Sequence, residues 1–349
     1  MTGKNEGFVA HLKKEFVNQD FISFHCILHQ QNLCSKSVIL DDTLKNIVAI
    51  VNYIRANSTR HRHFREMLML DEEIISADLP YHSKVRWLSQ GQVLVKILSL
   101  REKIIQLYNE NNQNCVLSDA NFLQDTAFLC DIMAKQNELN VSLQGKNKSV
   151  FEMWQKIQVF RKKLSFFRSL LEKSNLSENY FPELAKLMNG RSDDTSECVV
   201  RYVTVLDNLI EEYNGRFKDF EKHEMTLKLA FQPHVLDFSE APEKFQMELI
   251  ELSEDNIVKA QFDNKEDPVR IWKGATEYPR LREHARKLIS CFCSTYLCES
   301  SFSYMRQIKN DLRTQITDVH LENQLKLKTS SLEPNISMLV QQKQPQKSH

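Results

Sequence analysis

Between residues 195 and 230, apolar side chains recur with the 3.6-residue period of an α-helix. A stripe of this length predicts a long helix that buries one face against other helices. Only 7 glycines and 8 prolines occur in 349 residues, so the chain is poor in the turns that a β-rich fold requires. The sequence therefore predicts a mostly α-helical protein. The recurring residues are Val199, Tyr202, Val203, Leu206, Leu209, Ile210, Tyr213, Phe217 and Phe220.

The same period predicts most of the remaining helices, with two interruptions. Helices are predicted at 8–16, 41–54, 82–108, about 118–140 and 149–174. Residues 231–277 combine three prolines with acidic residues, and predict a connecting region with one short helix. Residues 21–28 alternate between apolar and polar side chains, which predicts a strand. A lone strand would need a sheet that the rest of the chain barely offers.

Composition excludes several classes of protein. Lysine plus arginine equals aspartate plus glutamate at 46 each, so any binding to DNA must come from local patches. The 8 cysteines form no CxxC pair, and no apolar signal opens the chain, which indicates a reducing compartment. No apolar run approaches the roughly 18 residues of a membrane span. No glycine-rich phosphate loop or nucleophile motif is present, so neither a cofactor nor a small-molecule substrate is predicted.

Residues 278–327 predict three helices in succession. Pro279 suits a first helical turn, and the stripe that follows contains Leu281, Ala285, Leu288, Ile289 and Phe292. A second helix would contain Glu299 and Phe302, with Arg306 and Lys309 on its faces. Thr317 can cap a third helix, in which Leu321 and Leu325 stack one turn apart. After Leu327 the chain becomes rich in Ser, Gln, Lys and Pro, which predicts a disordered tail at 328–349.

The run Cys298-Glu299-Ser300-Ser301-Phe302-Ser303 resembles the carboxy-terminal signature of the hAT superfamily of DNA transposases. The likeness is strongest to a domesticated vertebrate group that includes BED-type zinc-finger proteins and general transcription factor II-I repeat proteins. It implies a large all-helical insertion domain with the carboxy-terminal remnant of a ribonuclease-H-like α/β fold. On this basis we expect a partial ribonuclease-H-like segment (helix plus strand) at 1–40 and an insertion domain with its connecting region at 41–277. Residues 278–327 would then be the dimerisation and third-acid region.

The resemblance also assigns roles to individual residues. Glu299 stands where the family has its third catalytic acid, and Arg86-Trp87 match a pair that contacts DNA in the insertion domain. Cys26 and His29 match a Cys-x-x-His element, which would be either half of a zinc site or packing at a strand end; no complementary pair of ligands is spaced to complete the site. Met1-Thr2-Gly3-Lys4 resembles the segment directly after the second acid. We therefore expect two of three acids to be missing, no metal site and a vestigial Glu299.

The first functional hypothesis is a catalytically inactive, transposase-derived nuclear protein that binds protein partners and, as a second activity, DNA. The cytoplasm is the alternative location. Self-association or partner binding is predicted through an apolar set that could equally be internal core: Leu281, Leu288, Phe292, Phe302, Leu321 and Leu325. DNA contacts are predicted at Arg86, Trp87, Arg60, Arg62 and Arg65, with a core tryptophan and a solvated helix face as the alternatives.

Two further hypotheses stay open beside the first. In one, the chain is an enzymatic accessory of a longer transposase that supplies the missing acids. In the other, it is a fragmentary isoform without independent function.

Overall fold

The computed structural model describes residues 8–16, 22–37, 40–70, 87–145, 148–173, 176–188, 195–290, 296–310, 313–330 and 335–342. Within these ranges every regular element is helical. The chain divides into two compact units, Met1–Cys293 and Ser294–His349, which we describe separately. No helix in the described ranges is both long and apolar enough to cross a membrane.

Sixteen helices of the described residues belong to the first unit. The first ten are α1 (Phe8–Glu15), α2 (Ile27–Ser35), α3 (Asp41–Arg55), α4 (Ser58–Met69), α5 (Trp87–Ser99), α6 (Arg101–Glu110), α7 (Ala120–Leu143), α8 (Val150–Glu172), α9 (Pro182–Met188) and α10 (Thr195–Arg216). The next six are α11 (Lys218–Lys222), α12 (Glu224–Phe231), α13 (Glu243–Glu254), α14 (Asn256–Asp263), α15 (Pro268–Gly274) and α16 (Pro279–Ile289).

The apolar stripe at 195–230 forms a helical core, as predicted. Helix α10 packs on α8, while α7 packs on α5 and α9. Stacked aromatic rings link these helices: Phe128 lies 4.2 Å from Tyr202, and Trp154 lies 5.5 Å from Phe220, between ring centroids. The stripe bends at Phe217 and again at His223, so three helices, α10 to α12, replace the single long helix.

The strand predicted at 21–28 is wrong. Residues 22–26 have no regular structure, and α2 begins at Ile27. Ile27, Leu28 and Cys34 are buried at helical spacing, and the ring of Phe24 stacks 4.9 Å from that of Phe220. The alternation therefore reflects burial against helices rather than a sheet. The ribonuclease-H-like remnant has no strand in the part of the chain that the structure describes.

The connecting region expected at 231–277 is also different: it contains α13, α14 and α15 rather than one short helix. Its prolines begin helices instead of interrupting them. Pro268 is the first residue of α15, Pro242 is the N-cap of α13, and Pro233 opens a 3₁₀ turn. These helices share one core with α12 and α16, from Leu229 to Leu288, in which the Trp272 indole donates to the Ala230 carbonyl at 2.7 Å.

The second unit contains α17 (Tyr296–Ile308), α18 (Asp318–Thr329) and α19 (Ile336–Gln342), and α17 packs on α18. Thr317 caps α18, as predicted, because its hydroxyl accepts a hydrogen bond from the backbone N–H of His320 at 3.3 Å. Helix α19 lies in the tail that was expected to be disordered, so that expectation does not hold for residues 336–342.

Candidate interaction surfaces

The predicted apolar set separates into internal and exposed residues. Leu281 is fully buried and Leu288 nearly so, both in the core that α16 shares with α12 and α15. The backbone N–H groups of Arg280 and Leu281 donate to the two carboxylate oxygens of Glu248, at 3.1 and 2.9 Å, which fixes the start of α16. Leu281 and Leu288 are therefore internal, and Phe292 lies outside the described residues.

The second unit exposes its apolar side chains. Phe302 on α17 is 60% exposed, and on α18 Val319 and Leu327 are 68% and 72% exposed. Leu321 and Leu325 are half-buried. Of the side chains described between residues 300 and 339, not one is buried. Packing of α17 on α18 thus buries none of the described side chains of this unit.

The backbone of Glu299 lies on α17, but its side chain is outside the described part of the structure. The same holds for the Arg-Trp pair. Trp87 is the first residue of α5, and its side chain is not described. Arg86 lies outside the described residues altogether. The roles that the resemblance gives these residues stay predictions.

The predicted basic segment contains both engaged and exposed side chains. The Arg60 guanidinium lies 3.6 Å from the centre of the Tyr53 ring and donates to the Tyr53 carbonyl at 2.6 Å, so it joins α4 to α3. His63 pairs with Glu110 at 2.7 Å. Arg62 and Arg65 are exposed one turn apart on α4. Of the three predicted arginines that the structure describes, these two are exposed to a phosphate.

Cys26 and His29 lie one turn apart at the start of α2, where Cys26 is the N-cap and half-exposed and His29 is exposed. Among the described residues, no group of three or more His, Cys, Asp or Glu side chains is arranged to hold a metal ion.

A cleft beside α7 and α8 was not predicted. It has a volume of about 840 Å³ and contains five lysines, at 135, 148, 156, 163 and 265. In the sequence, only the repeat of Lys156 and Lys163 beside Phe160 and Phe167 on α8 hints at such a surface. Lys148 lies just before α8, whereas Lys135 and Lys265 come from other segments that only folding brings to the cleft.

Two family matches fit this architecture. Residues 25–172 match the FAM200/GTF2IRD2 helical domain, and residues 246–330 match the hAT family C-terminal dimerisation region. Together the two matches support a hAT-derived origin for this chain. The first match runs from the turn before α2 to the end of α8, and the second runs from α13 to α18.

Curated relatives agree with the two family matches. The chain is 29% identical over 337 residues to General transcription factor II-I repeat domain-containing protein 2 of Bos taurus, and 28% identical over 320 residues to the Mus musculus protein of that name. The alignments cover 94% and 89% of this chain but 34% and 33% of the relatives, so it spans about a third of their length. No solved structure matches the chain.

Proposed function

We propose that this hAT-derived protein is a non-enzymatic nuclear interaction module that self-associates through α17 and α18. The observation that carries the proposal is the exposed apolar surface of a unit whose described side chains include no buried one. Isolated helices of this length are marginally stable in water and gain stability mainly from packing of an apolar face. A second copy of the chain would supply that packing.

The size of the exposed groups supports association. Burying a side chain such as leucine or phenylalanine contributes about 1.5–3 kcal/mol, so Phe302, Val319 and Leu327 together offer several kcal/mol to an interface. The dimerisation description of the matched family region supports a second copy as the partner. Leu321 and Leu325 would complete the interface from their half-buried positions.

Sedimentation velocity over a wide concentration range tests the proposal. We expect the wild-type chain to form a dimer as concentration rises, and Phe302→Glu or Leu327→Glu to stay monomeric. Val200→Glu is the matched control, because Val200 on α10 is 65% exposed and lies outside both family matches. A wild-type chain that stays monomeric throughout, or Glu variants that still dimerise, would contradict self-association through α17 and α18.

We propose duplex DNA contact through Arg62 and Arg65 as a second activity. Two exposed arginines one turn apart on α4 support it, because such side chains can neutralise phosphates. We expect Arg62→Gln together with Arg65→Gln to weaken duplex binding and to reduce its dependence on salt. Arg270→Gln together with Arg286→Gln removes the same charge from exposed positions on α15 and α16, and should have no effect. Equal loss in both pairs would indicate only a net-charge effect.

The names of the relatives support a non-enzymatic role in the nucleus, since they name a transcription factor repeat domain. Under this proposal Glu299 is a vestigial acid. The purified chain should not cleave DNA in the presence of Mg²⁺ or Mn²⁺. Metal-dependent cleavage that is lost in Glu299→Gln would overturn the proposal and favour the enzymatic hypothesis.

A further inference from the structure

The cleft beside α7 and α8 has a strong excess of positive charge. Its described lining contains five lysines and two acids, Glu138 and Glu152. The Glu152 carboxylate is already engaged, because it accepts from the backbone N–H and the hydroxyl of Ser149 in a capping box at the start of α8. The surface that remains favours an anionic ligand.

Two of the lysines converge on one acceptor. The ammonium groups of Lys148 and Lys156 both donate to the Ser142 carbonyl oxygen, at 3.0 and 2.6 Å. Two like charges on one neutral oxygen repel each other, and the contact with Lys148 lowers the pKa of Lys156. A bound anion at this point would remove the repulsion.

A third ammonium is held beside aromatic rings. Lys135 on α7 lies 4.8 Å from the centre of the Phe167 ring and 5.8 Å from that of Phe181. Burial lowers the pKa of Lys135, the negative charges of Asp131 and Glu138 partly offset this, and the positive charge of Lys163 lowers the pKa further. Lys135 therefore places a positive charge beside aromatic rings in the wall of the cleft.

Lys265 contributes from a distant part of the chain at a cost in backbone conformation. It follows the C-cap of α14 with a φ of +54°, in the left-handed region that favours glycine at such a position. Its backbone N–H donates to Phe262, and that of Glu266 donates to Gln261, which closes the end of the helix. A lysine at this position presents its side chain to the cleft, which glycine would not do.

The cleft also exposes flat apolar rings. Phe166 is 45% exposed and Tyr180 is 37% exposed, and the two rings meet edge to face with centroids 5.2 Å apart. Exposed aromatic rings beside lysines suit a ligand with alternating phosphates and planar bases, because unpaired bases stack on such rings. An acidic peptide would use the lysines but would leave the rings without a partner.

We propose that this lysine-lined cleft binds single-stranded nucleic acid, with phosphates on Lys148, Lys156 and Lys163 and an unpaired base on Phe166 or Tyr180. The site is separate from Arg62 and Arg65 on α4 and from the surface of α17 and α18. Its test therefore succeeds or fails independently of both parts of the function proposed above.

The test is fluorescence anisotropy of a labelled oligothymidylate of about ten nucleotides, within the range of known single-strand site sizes. Lys156→Gln together with Lys163→Gln should weaken binding by about tenfold or more. It should also reduce the slope of log affinity against log salt by about 1.4, because each single-strand phosphate contact contributes about 0.7. Phe166→Leu keeps the apolar volume but removes the stacking face, and should weaken binding about tenfold with the salt slope unchanged.

Lys162→Gln together with Lys173→Gln is the matched control, since both lysines are exposed at or beside α8 and neither lines the cleft. Circular dichroism of each variant verifies that the helices persist. The proposal is overturned if the control loses as much affinity as the cleft variant, or if neither Phe166→Leu nor Tyr180→Leu weakens binding. Equal competition by tripolyphosphate or oligoglutamate would show a site for anions in general, and equal binding of duplex would exclude recognition of unpaired bases.

Discussion

Asp131 on α7 is a buried carboxyl, 3% exposed, that caps a helix distant in sequence. Its two oxygens accept hydrogen bonds from the backbone N–H groups of Glu183 and Leu184, at 3.1 and 3.0 Å, in the first turn of α9. Burial raises the pKa of Asp131 to about 6, although these two hydrogen bonds lower it. Between about pH 4 and pH 6 the folded chain therefore keeps a proton that the unfolded chain has released.

The free energy of unfolding should fall as pH rises through this window, and Asp131→Asn should remove the effect. The stability of the wild type relative to Asp131→Asn should decrease by at most about 1.4 kcal/mol per pH unit, and should stop changing above the folded-state pKa. Urea unfolding of both proteins at several pH values measures it. Glu254→Gln, at an exposed carboxyl, is the control. A stability difference that is independent of pH would contradict this prediction.

Two buried tryptophans differ in the hydrogen bonding of their indole N–H groups. Trp272 donates to the Ala230 carbonyl in the last turn of α12, whereas the Trp154 indole has no hydrogen-bond partner among the described residues. Replacement by phenylalanine removes a similar volume at both sites, because both side chains are almost fully buried. Trp272→Phe also leaves a buried carbonyl without its donor, so it should cost about 1–2 kcal/mol more than Trp154→Phe. Chemical denaturation of both variants tests this, and equal losses would refute it.

At the scale of elements, α3, α4 and α6 are joined through one stack of side chains. The Arg60 guanidinium covers the Tyr53 ring, which lies 4.3 Å from the Tyr108 ring between centroids. Lysine cannot reproduce a planar stack and the bond to the Tyr53 carbonyl together. Arg60→Lys should therefore destabilise the chain by about 1 kcal/mol, while Arg62→Lys, at an exposed position, should not. Thermal unfolding compares them, and equal midpoints would show that the stack contributes nothing.

Local signals predicted the elements well where one physical cause dominates. The stripe from Val199 to Phe220 and the cap at Thr317 depend on neighbouring residues alone. Proline misled the prediction at 231–277, because the same residue can end a helix or occupy its first turn, and only packing distinguishes the two. Alternation at residues 22–28 failed for a similar reason, since a short apolar run fits a strand or a buried helix start.

The exposed and internal sites were harder to separate than the elements. Leu281 and Phe302 both follow helical apolar patterns, yet Leu281 is buried in the core and Phe302 is 60% exposed. A sequence pattern marks which face of a helix is apolar, but the partner of that face depends on tertiary structure. The lysine cleft shows the same limit, because residues 135 to 265 meet there only after folding.

At the scale of the whole molecule, we expect folding and the proposed self-association to depend on different residues and to respond to different substitutions. Leu281→Ala empties a fully buried position and should destabilise the first unit by about 2–5 kcal/mol, yet the folded protein should still dimerise. Phe302→Glu should abolish the dimer while leaving the core that contains Leu281 intact. Mass action supplies an independent test. Dimerisation stabilises the folded chain and not the unfolded one, so the thermal midpoint of a dimer rises with protein concentration.

Differential scanning calorimetry at several concentrations separates the two effects. The wild type should show a concentration-dependent transition, Phe302→Glu should lose that dependence, and Leu281→Ala should keep it at a lower temperature. Val200→Glu, exposed on α10, should behave as the wild type. If Leu281→Ala abolished the dimer at temperatures where its helical signal is intact, the interface would extend to α16, and the assignment of association to α17 and α18 alone would be wrong.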